Sequence, residues 1–466
     1  MRILHAIHDF LPRHRAGSEI YAFELCRELG KAHHVTVLCA DYDPSRPHGH
    51  VTWRVHDGLP VVELANNWLC GSFEDTYRPP VVSDRIAHVL QAVQPDVIHV
   101  HNLLTLSFDL PLFAEQHGIP VVATLHDYSL VCPAGGQRLH RSEEHSCEVI
   151  DTERCVRCFR ESPLQAQISF GRVTALTGAS GSLHRAVSAT LRRFPRLAAH
   201  AEQAVRWAPV MNLSVESIER RLSAARRLFD LIDLFVAPSR SMAAEFQRLG
   251  LDEAKIRVSD YGFTPLGPVS QNGNGTAPGP LRIGFVGTLV WHKGAHVLLE
   301  AVRPLASGSY EVRIFGDTGL FPDYAAGLQA QATGLPVRFM GGFDHAQRAD
   351  VYKQMDVLVV PSIWLENSPL VIHEAFMAGV PVVGARIGGI AELVDDGRTG
   401  LLYTPTSSPE LAAALRLLGE KREALAGLRA EVRSKPRVKS IEDDAREWEQ
   451  AYAEVLGRRA AAPFAT

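Results

Sequence analysis

Short β-branched runs and helix-spaced stretches take turns along almost the whole chain, and that alternation restricts the fold more than any other feature. RILHAI (2–7), HVTVLCA (34–40), DVIHVHN (96–102) and PVVATLH (120–126) read as buried parallel strands. EIYAFELCRELG (19–30) and SDRIAHVLQAV (83–93) carry helical spacing between them. A second series follows with LFVAPS (234–239), LRIGFVG (281–287), EVRIFGD (311–317), VRFMGG (337–342), DVLVVPS (356–362) and VPVVGA (380–385), again with helical segments between. Such alternation implies parallel sheets whose crossover helices cover both faces.

Between the two series, TPLGPVSQNGNGTAPGP (264–280) is rich in Gly, Pro and Asn and reads as a linker. A chain of 466 residues is also long for one core. The expectation is α/β, with two doubly wound domains at 1–264 and 265–440. DDAREWEQAYAEVLG (443–457) is an amphipathic helix with no strand after it, so 441–466 is expected to pack back on the N-terminal domain. One block, 160–228, breaks the alternation and reads as a helical insertion. From His184 to Leu228 it sets nine arginines against Glu202, Glu216 and Glu219. Two readings stand: a solvated face, or a basic surface (184–228) making peripheral contact with anionic lipid headgroups or a phosphate-linked acceptor.

Composition narrows the class. With 46% apolar and 21% charged residues the chain reads as soluble and globular, and a net charge of −4 excludes a general nucleic-acid binder. No apolar run reaches the roughly 18–20 residues needed to span a bilayer. MRILHAIHDF meets His and Asp too early for a secretion signal and reads as a first strand. The seven cysteines are an odd number, and Cys26, Cys39 and Cys70 sit in apolar contexts. The expected setting is cytoplasmic, without a disulfide framework. On that reading the sequon NLS at 212–214 carries no glycan.

Ligands of doubly wound sheets bind at the carboxyl ends of the strands. PSIWLENSPLVIHEAFMAGVPVV (361–383) follows one such end and keeps two carboxylates, Glu366 and Glu374, in a segment otherwise built for an interior. Asn367 or Ser368 is expected to cap the next helix, with Pro369 as its first residue. The amides of Leu370, Val371 and Ile372 would then be unpaired at the positive end of the helix dipole, an anion site suited to phosphate. A carboxylate repels phosphate, so the two acids are better suited to sugar hydroxyls on either side of a diphosphate. The plainer reading makes Glu374 an exposed first-turn acid.

VGTLVWHKGAHVLLEA (286–301) is a second strand–loop–helix junction. There Gly287 allows close approach, and Lys293 and Gly294 stand at the helix start, where Lys can neutralise phosphate or simply be solvated. It lacks both GxGxxG and GxxxxGK[ST]. In RHRAGSEIYAFEL (13–25), Gly17 sits where a loop meets a helix, and His126 with Asp127 ends the strand in VVATLHDYSLVCP (121–133). A histidine there is either structural or a reacting group. Cys132, Cys147, Cys155 and Cys158 form a C-x14-C-x7-C-x2-C series in a loop-like region, enough thiolates for a zinc staple, though not at the spacing of a standard finger.

Taken together and in order, these stretches resemble the retaining glycosyltransferases of family 4. The resemblance rests on ENSPLVIHEAFMAGVPVV, with its E-x7-E pair, and on AGSEIYAFEL, HVHN, TLHDYSLVCP, FVGTLVWHKGAHVLLEA and GGIAELVDDGRTGLL (388–402). It implies the GT-B fold, two Rossmann-like domains facing across a cleft. It also implies a nucleoside-diphosphate sugar as donor, a glycan or lipid-linked acceptor, and no cofactor or metal for catalysis. By the same resemblance Gly17 meets the donor phosphate or sugar and Lys293 binds the diphosphate. Glu366 holds sugar hydroxyls, Glu374 the ribose, and the Leu370 and Val371 amides the diphosphate, while His126 sits near the reacting carbon. Gly287, Thr288 and Ser368 fall among the expected substrate-binding positions, and His126, Lys293 and Glu366 among the catalytic ones.

One position departs from the pattern. Thr288 stands where the family often has an arginine, which removes one positive charge from the diphosphate site unless Arg13, Arg15 or His292 compensates. The leading expectation is transfer of a hexose to a cell-surface glycan or glycolipid at the inner face of the membrane. The alternatives are a nucleotide-sugar-binding protein that has lost catalysis and, disfavoured by the absent glycine fingerprint, a nicotinamide oxidoreductase. Acceptor choice is expected around Trp68–Tyr77 and the helical block.

Overall fold

The computed structural model describes residues 1–140, 143, 145–176, 213–266, 279–434 and 438–461. Packing sorts the chain into two units. The first is Met1–Pro238 with Ala243–Ser259 and Ile441–Thr466; the second is Asp260–Ser440 with Ser239–Met242.

The first unit is built on an eight-stranded sheet. Its order is Ile256–Val258, Leu234–Ala237, Val121–Thr124, Val97–Val100, Arg2–Ala6, His34–Asp41, Leu59–Ala65, Val51–His56. All neighbours run parallel except the last pair, a hairpin turned by Asp57 and Gly58 at φ 48° and 83°. From Arg2–Ala6 the chain builds outward on one side and then returns to build on the other, so the winding reverses between Arg2–Ala6 and Val97–Val100. Val97–Val100 and Val121–Thr124 stop short of the expected runs, which leaves His101, Asn102, His126 and Asp127 in the loops beyond the strands.

A six-stranded, all-parallel sheet makes the second unit. Its order is Val337–Gly341, Tyr310–Phe315, Leu281–Val286, Val357–Val360, Val382–Ala385, Gly400–Tyr403. The winding reverses between Leu281–Val286 and Val357–Val360, the place where open α/β sheets take ligands. Val286, Phe315, Tyr352, Leu358, Ile372, Phe376 and Ile390 form one core beneath that point. Gly294, at φ 74°, ties the two loops there: a Cβ on it would stand 1.8 Å from the Pro361 carbonyl oxygen, so only glycine fits.

The closing helix, Ile441–Ala461, belongs to the first unit and runs longer than the expected 443–457. Trp448 Nε1 donates to the Tyr21 hydroxyl at 3.1 Å, and Tyr21 donates to Asp444 at 2.8 Å. The Tyr452 hydroxyl meets His99 Nδ1 at 2.7 Å. In the block expected at 160–228, the described helices are Thr152–Glu161, Pro163–Leu176 and Val215–Leu231. Residues 177–212, most of the arginine-rich stretch, and residues 267–278 of the expected linker lie outside the described residues. Among the described residues no helix is long and apolar enough to cross a membrane.

Asp356 anchors the second sheet. Its carboxylate accepts from the Arg282 amide at 2.9 Å, the Arg282 guanidinium at 2.8 Å and the Arg429 guanidinium at 2.8 Å. Burial works to raise its carboxyl, but these donors hold it below the usual carboxylate range. Asp356→Ala strands two guanidinium groups, and denaturant titration is expected to show the protein destabilised by about 3–5 kcal/mol. Asp350→Ala, which removes only an exposed partner of Lys353, is expected to cost less than about 1 kcal/mol.

Candidate active site

In the second unit the strand Val357–Val360 delivers Ser362, and the loop after it carries Glu366, 2% exposed. Lys293 Nζ donates to Glu366 Oε1 at 2.7 Å, and the Ser362 hydroxyl donates to the same oxygen at 2.6 Å. Burial pushes the Glu366 carboxyl up, but the Lys293 charge and these hydrogen bonds bring it below its ordinary value. Lys293 is therefore paired rather than simply solvated. Its ammonium also lies 5.3 Å from the centre of the Trp364 ring, and one of its three N–H groups is spent on Glu366.

The helix after this loop starts later than expected. It spans Leu370–Met377 with Pro369 as its N-cap, and neither Asn367 nor Ser368 caps it. Both side chains have other partners. Asn367 Oδ1 accepts from the Ser368 amide at 2.6 Å, and the Ser368 hydroxyl donates to Asp260 at 2.7 Å and lies 2.8 Å from His373 Nε2. The Ile372 amide bonds the Pro369 carbonyl at 3.0 Å, so it is not one of the open donors. The Leu370 and Val371 amides show no partner among the described residues.

Glu374 is 8% exposed, so the reading of an exposed first-turn acid is wrong. Arg348 Nη1 donates to its Oε1 at 3.1 Å and the Tyr352 hydroxyl to its Oε2 at 2.7 Å. Two lone-pair positions are filled; a carboxylate offers about four. Sequence reasoning missed Arg348, Tyr352 and Ser362. Arg348 and Tyr352 lie on the helix Arg348–Tyr352, whose five residues are too few for periodicity to mark. Gly287 is at φ 153°, and Thr288 beside it is exposed. His292 is buried, its ring edge-on to Trp364 at 5.5 Å.

In the first unit a chain of buried histidines runs from the strand Arg2–Ala6 to the loops after Val97–Val100 and Val121–Thr124. His126 Nε2 lies 2.9 Å from His101 Nδ1, and His101 Nε2 lies 2.9 Å from His5 Nδ1. Each contact needs one protonated and one bare nitrogen, so the tautomers of the three rings are linked. Burial lowers His126 and His5 to about 3, and His99 and His101 well below their ordinary value. Asp127 accepts from Asn102 Nδ2 at 2.9 Å and from the Ser129 amide at 2.7 Å. Exposed Gly17 begins the helix Gly17–Leu29, and Glu19 in its first turn lies 3.2 Å from His8 Nε2. Arg13 is paired with Asp41, with Glu63 at 3.8 Å. In the stretch Trp68–Tyr77, Trp68, Phe73 and Tyr77 are buried and Leu69, Gly71, Ser72 and Glu74 are exposed.

The four cysteines of the series line one cavity. Cys155 and Cys158 lie on the helix Thr152–Glu161, not in a loop, and Cys147 follows the hairpin Leu139–His140/His145–Ser146. Burial and the neighbouring thiols push Cys155 and Cys158 up to about 12. Among the described residues, His5–His99–His101 and His8–Asp9–Glu19 bring three ligand atoms within 4.8 Å of one another; the cysteine sulfurs are set wider.

Residues 15–157 match the family model described as Glycosyltransferase Family 4, and residues 280–421 the model described as Glycosyl transferases group 1. The chain is 31% identical over 213 residues to the D-inositol 3-phosphate glycosyltransferase 2 of Catenulispora acidiphila, covering 42% of this chain and 50% of that protein. It is 33% identical over 200 residues to the putative colanic acid biosynthesis glycosyltransferase WcaL of Salmonella typhimurium, covering 41% and 48%. The chain thus spans about half the length of these relatives. The structure of Anabaena Alr3699/HepE, solved with UDP and glucose, superposes with a TM-score of 0.61 at 17% identity over 97% of this chain and 99% of that one. That likeness shows the GT-B fold.

The buried histidines set a pH dependence. Unfolded, each takes a proton near 6.5; folded, His5 and His126 resist protonation down to about 3. The unfolded state therefore binds more protons between these values, so stability falls as pH drops from about 6.5 toward 3. Denaturant midpoints measured across that window are expected to decline steadily, and His5→Phe to flatten the decline.

Proposed function

The chain belongs to the group 1, family 4 glycosyltransferases, and on that premise we propose that it moves a hexose from a nucleoside-diphosphate sugar to a glycan or glycolipid acceptor with retention at the anomeric carbon. The observation that carries this is the Lys293–Glu366 pair, 2.7 Å apart at the point where the second sheet reverses. A cation and a carboxylate held side by side, next to the Leu370 and Val371 amides, suit a ligand that is anionic at one end and hydroxyl-rich at the other.

In this reading Lys293 and the Leu370 and Val371 amides meet the diphosphate, and Glu366 accepts from hydroxyls of the donor sugar. Glu374, already oriented by Arg348 and Tyr352, takes the ribose hydroxyls. Gly287 and exposed Thr288 allow the phosphates close approach, and Ser368 fixes the loop through Asp260 and His373. Gly17 serves the donor from the first unit. His126 acts as a neutral imidazole that orients the donor, because burial keeps it uncharged at pH 7.

Departure of the nucleoside diphosphate breaks the bond between the anomeric carbon and the phosphate oxygen, and the electron pair leaves with the phosphate. The acceptor oxygen bonds to the carbon on the same face, and its proton passes to the departing phosphate oxygen. Lysine and helix amides stabilise the growing charge without reorganising, so no divalent cation is expected to be required. The Salmonella relative is named for colanic acid biosynthesis, which supports a polysaccharide product; its place at the cell surface, and synthesis at the inner face of the membrane, belong to the same proposal. Thr288 favours a second reading, a nucleotide-sugar binder without turnover.

Calorimetry against uridine and guanosine diphosphate sugars, followed by release assays, separates the two. The expected outcome is binding together with slow donor cleavage in the absence of acceptor; binding with no turnover for any acceptor selects the second reading. Lys293→Ala and Glu366→Ala are each expected to cut donor turnover by about 10²–10³-fold. Rates within a few-fold of the unaltered protein would remove those roles.

A further inference from the structure

We propose that Cys132, Cys147, Cys155 and Cys158 bind one structural zinc ion, which fastens the loop following His126 to the helix Thr152–Glu161. The four residues come from three separate places in the chain and meet at one cavity in the first unit, lined also by Val131, Arg138 and Arg154. Cys155 and Cys158, three apart on one helix, share a face. Cys132 closes the loop that begins at His126, its amide bonded to the Tyr128 carbonyl at 2.7 Å. Cys147 is held by an amide bond to the Arg138 carbonyl at 2.8 Å. None of the four is in a disulfide.

A second observation, independent of the thiols, calls for negative charge here. Arg221 is 3% exposed, and its guanidinium donates to the Leu130 carbonyl at 3.0 Å and the Ser129 carbonyl at 2.6 Å. It lies over the rings of Tyr77 and Phe108 at 5.8 and 5.2 Å. Among the described residues it has no carboxylate partner. A buried cation without a countercharge is costly, and the loop that its guanidinium grips at Ser129 and Leu130 is the one that carries Cys132, where thiolates on a metal would supply that charge. A tetrathiolate zinc centre carries two negative charges, and Arg221 answers one of them.

Small segments without a core of their own need such a staple. The hairpin has strands of only two residues, Leu139–His140 and His145–Ser146. Zinc at about 2.3 Å from each sulfur draws the thiols inward from their present wider spacing, and this short hairpin is the element that can yield. Zinc suits the site because four thiolates in a tetrahedron leave no open coordination position; its role is structural, not catalytic.

Elemental analysis of the full-length protein, purified without added metal, is expected to find about one zinc per chain. Cobalt(II) exchanged into the unaltered protein should give the intense thiolate charge-transfer absorption of a tetrahedral sulfur site. Chelator competition with Cys155→Ser/Cys158→Ser is expected to show zinc held more than about 100-fold more weakly. The cobalt spectrum needs no variant, so misfolding of the double substitution leaves the proposal testable. Zinc retained undiminished by that variant means an adventitious ion only and overturns the proposal. So do protein free of zinc with four freely reactive thiols, a disulfide found among the four by mass spectrometry, or bound iron with a visible iron–sulfur spectrum.

Discussion

A parallel sheet wound in two directions has one pair of neighbouring strands whose following connections part company, leaving a crevice at their carboxyl ends. That constraint organises both units of this protein. In the second, the parting strands are Leu281–Val286 and Val357–Val360, and the loops after them carry Lys293 and Glu366. In the first they are Arg2–Ala6 and Val97–Val100, and His5, His99, His101 and, one strand further on, His126 gather there. Chemistry-bearing side chains are thus placed by topology, before any particular contact is made.

Burial then dictates how those side chains behave. Glu366, at 2% exposure, keeps its charge only because a lysine and a serine hydroxyl share one of its oxygens. His99 and His101 are instead driven neutral by burial. One unit stores a compensated charge and the other a set of uncharged rings. The difference follows from the partners that each crevice provides.

Much of this was legible in the sequence, and the gaps have physical reasons. Doubly wound parallel strands are continuous apolar runs, so those at the centre of each sheet could be read directly. The hairpin Val51–His56/Leu59–Ala65 could not, because its edge strand alternates partly buried with exposed residues; the Asp57–Gly58 turn was its one available signal. The E-x7-E pair and Lys293 stood out because charge is rare in such segments. Arg348 and Tyr352 did not, since nothing local distinguishes a buried Arg–Glu contact from a solvated arginine. The helix start was misplaced by one residue because Ser368 found partners at 260 and 373, and Asn367 one at 261, that the neighbouring sequence does not reveal.

The final helix has a consequence for synthesis. Tyr452 lies fully buried with its hydroxyl on His99, and Trp448 and Asp444 meet Tyr21. The first unit therefore draws its last structural element from beyond the entire second unit. On the ribosome, residues 260–440 can complete their own sheet while the histidine rings of the earlier unit still lack their cover. Of the two units, the one whose synthesis starts earlier is the one completed later.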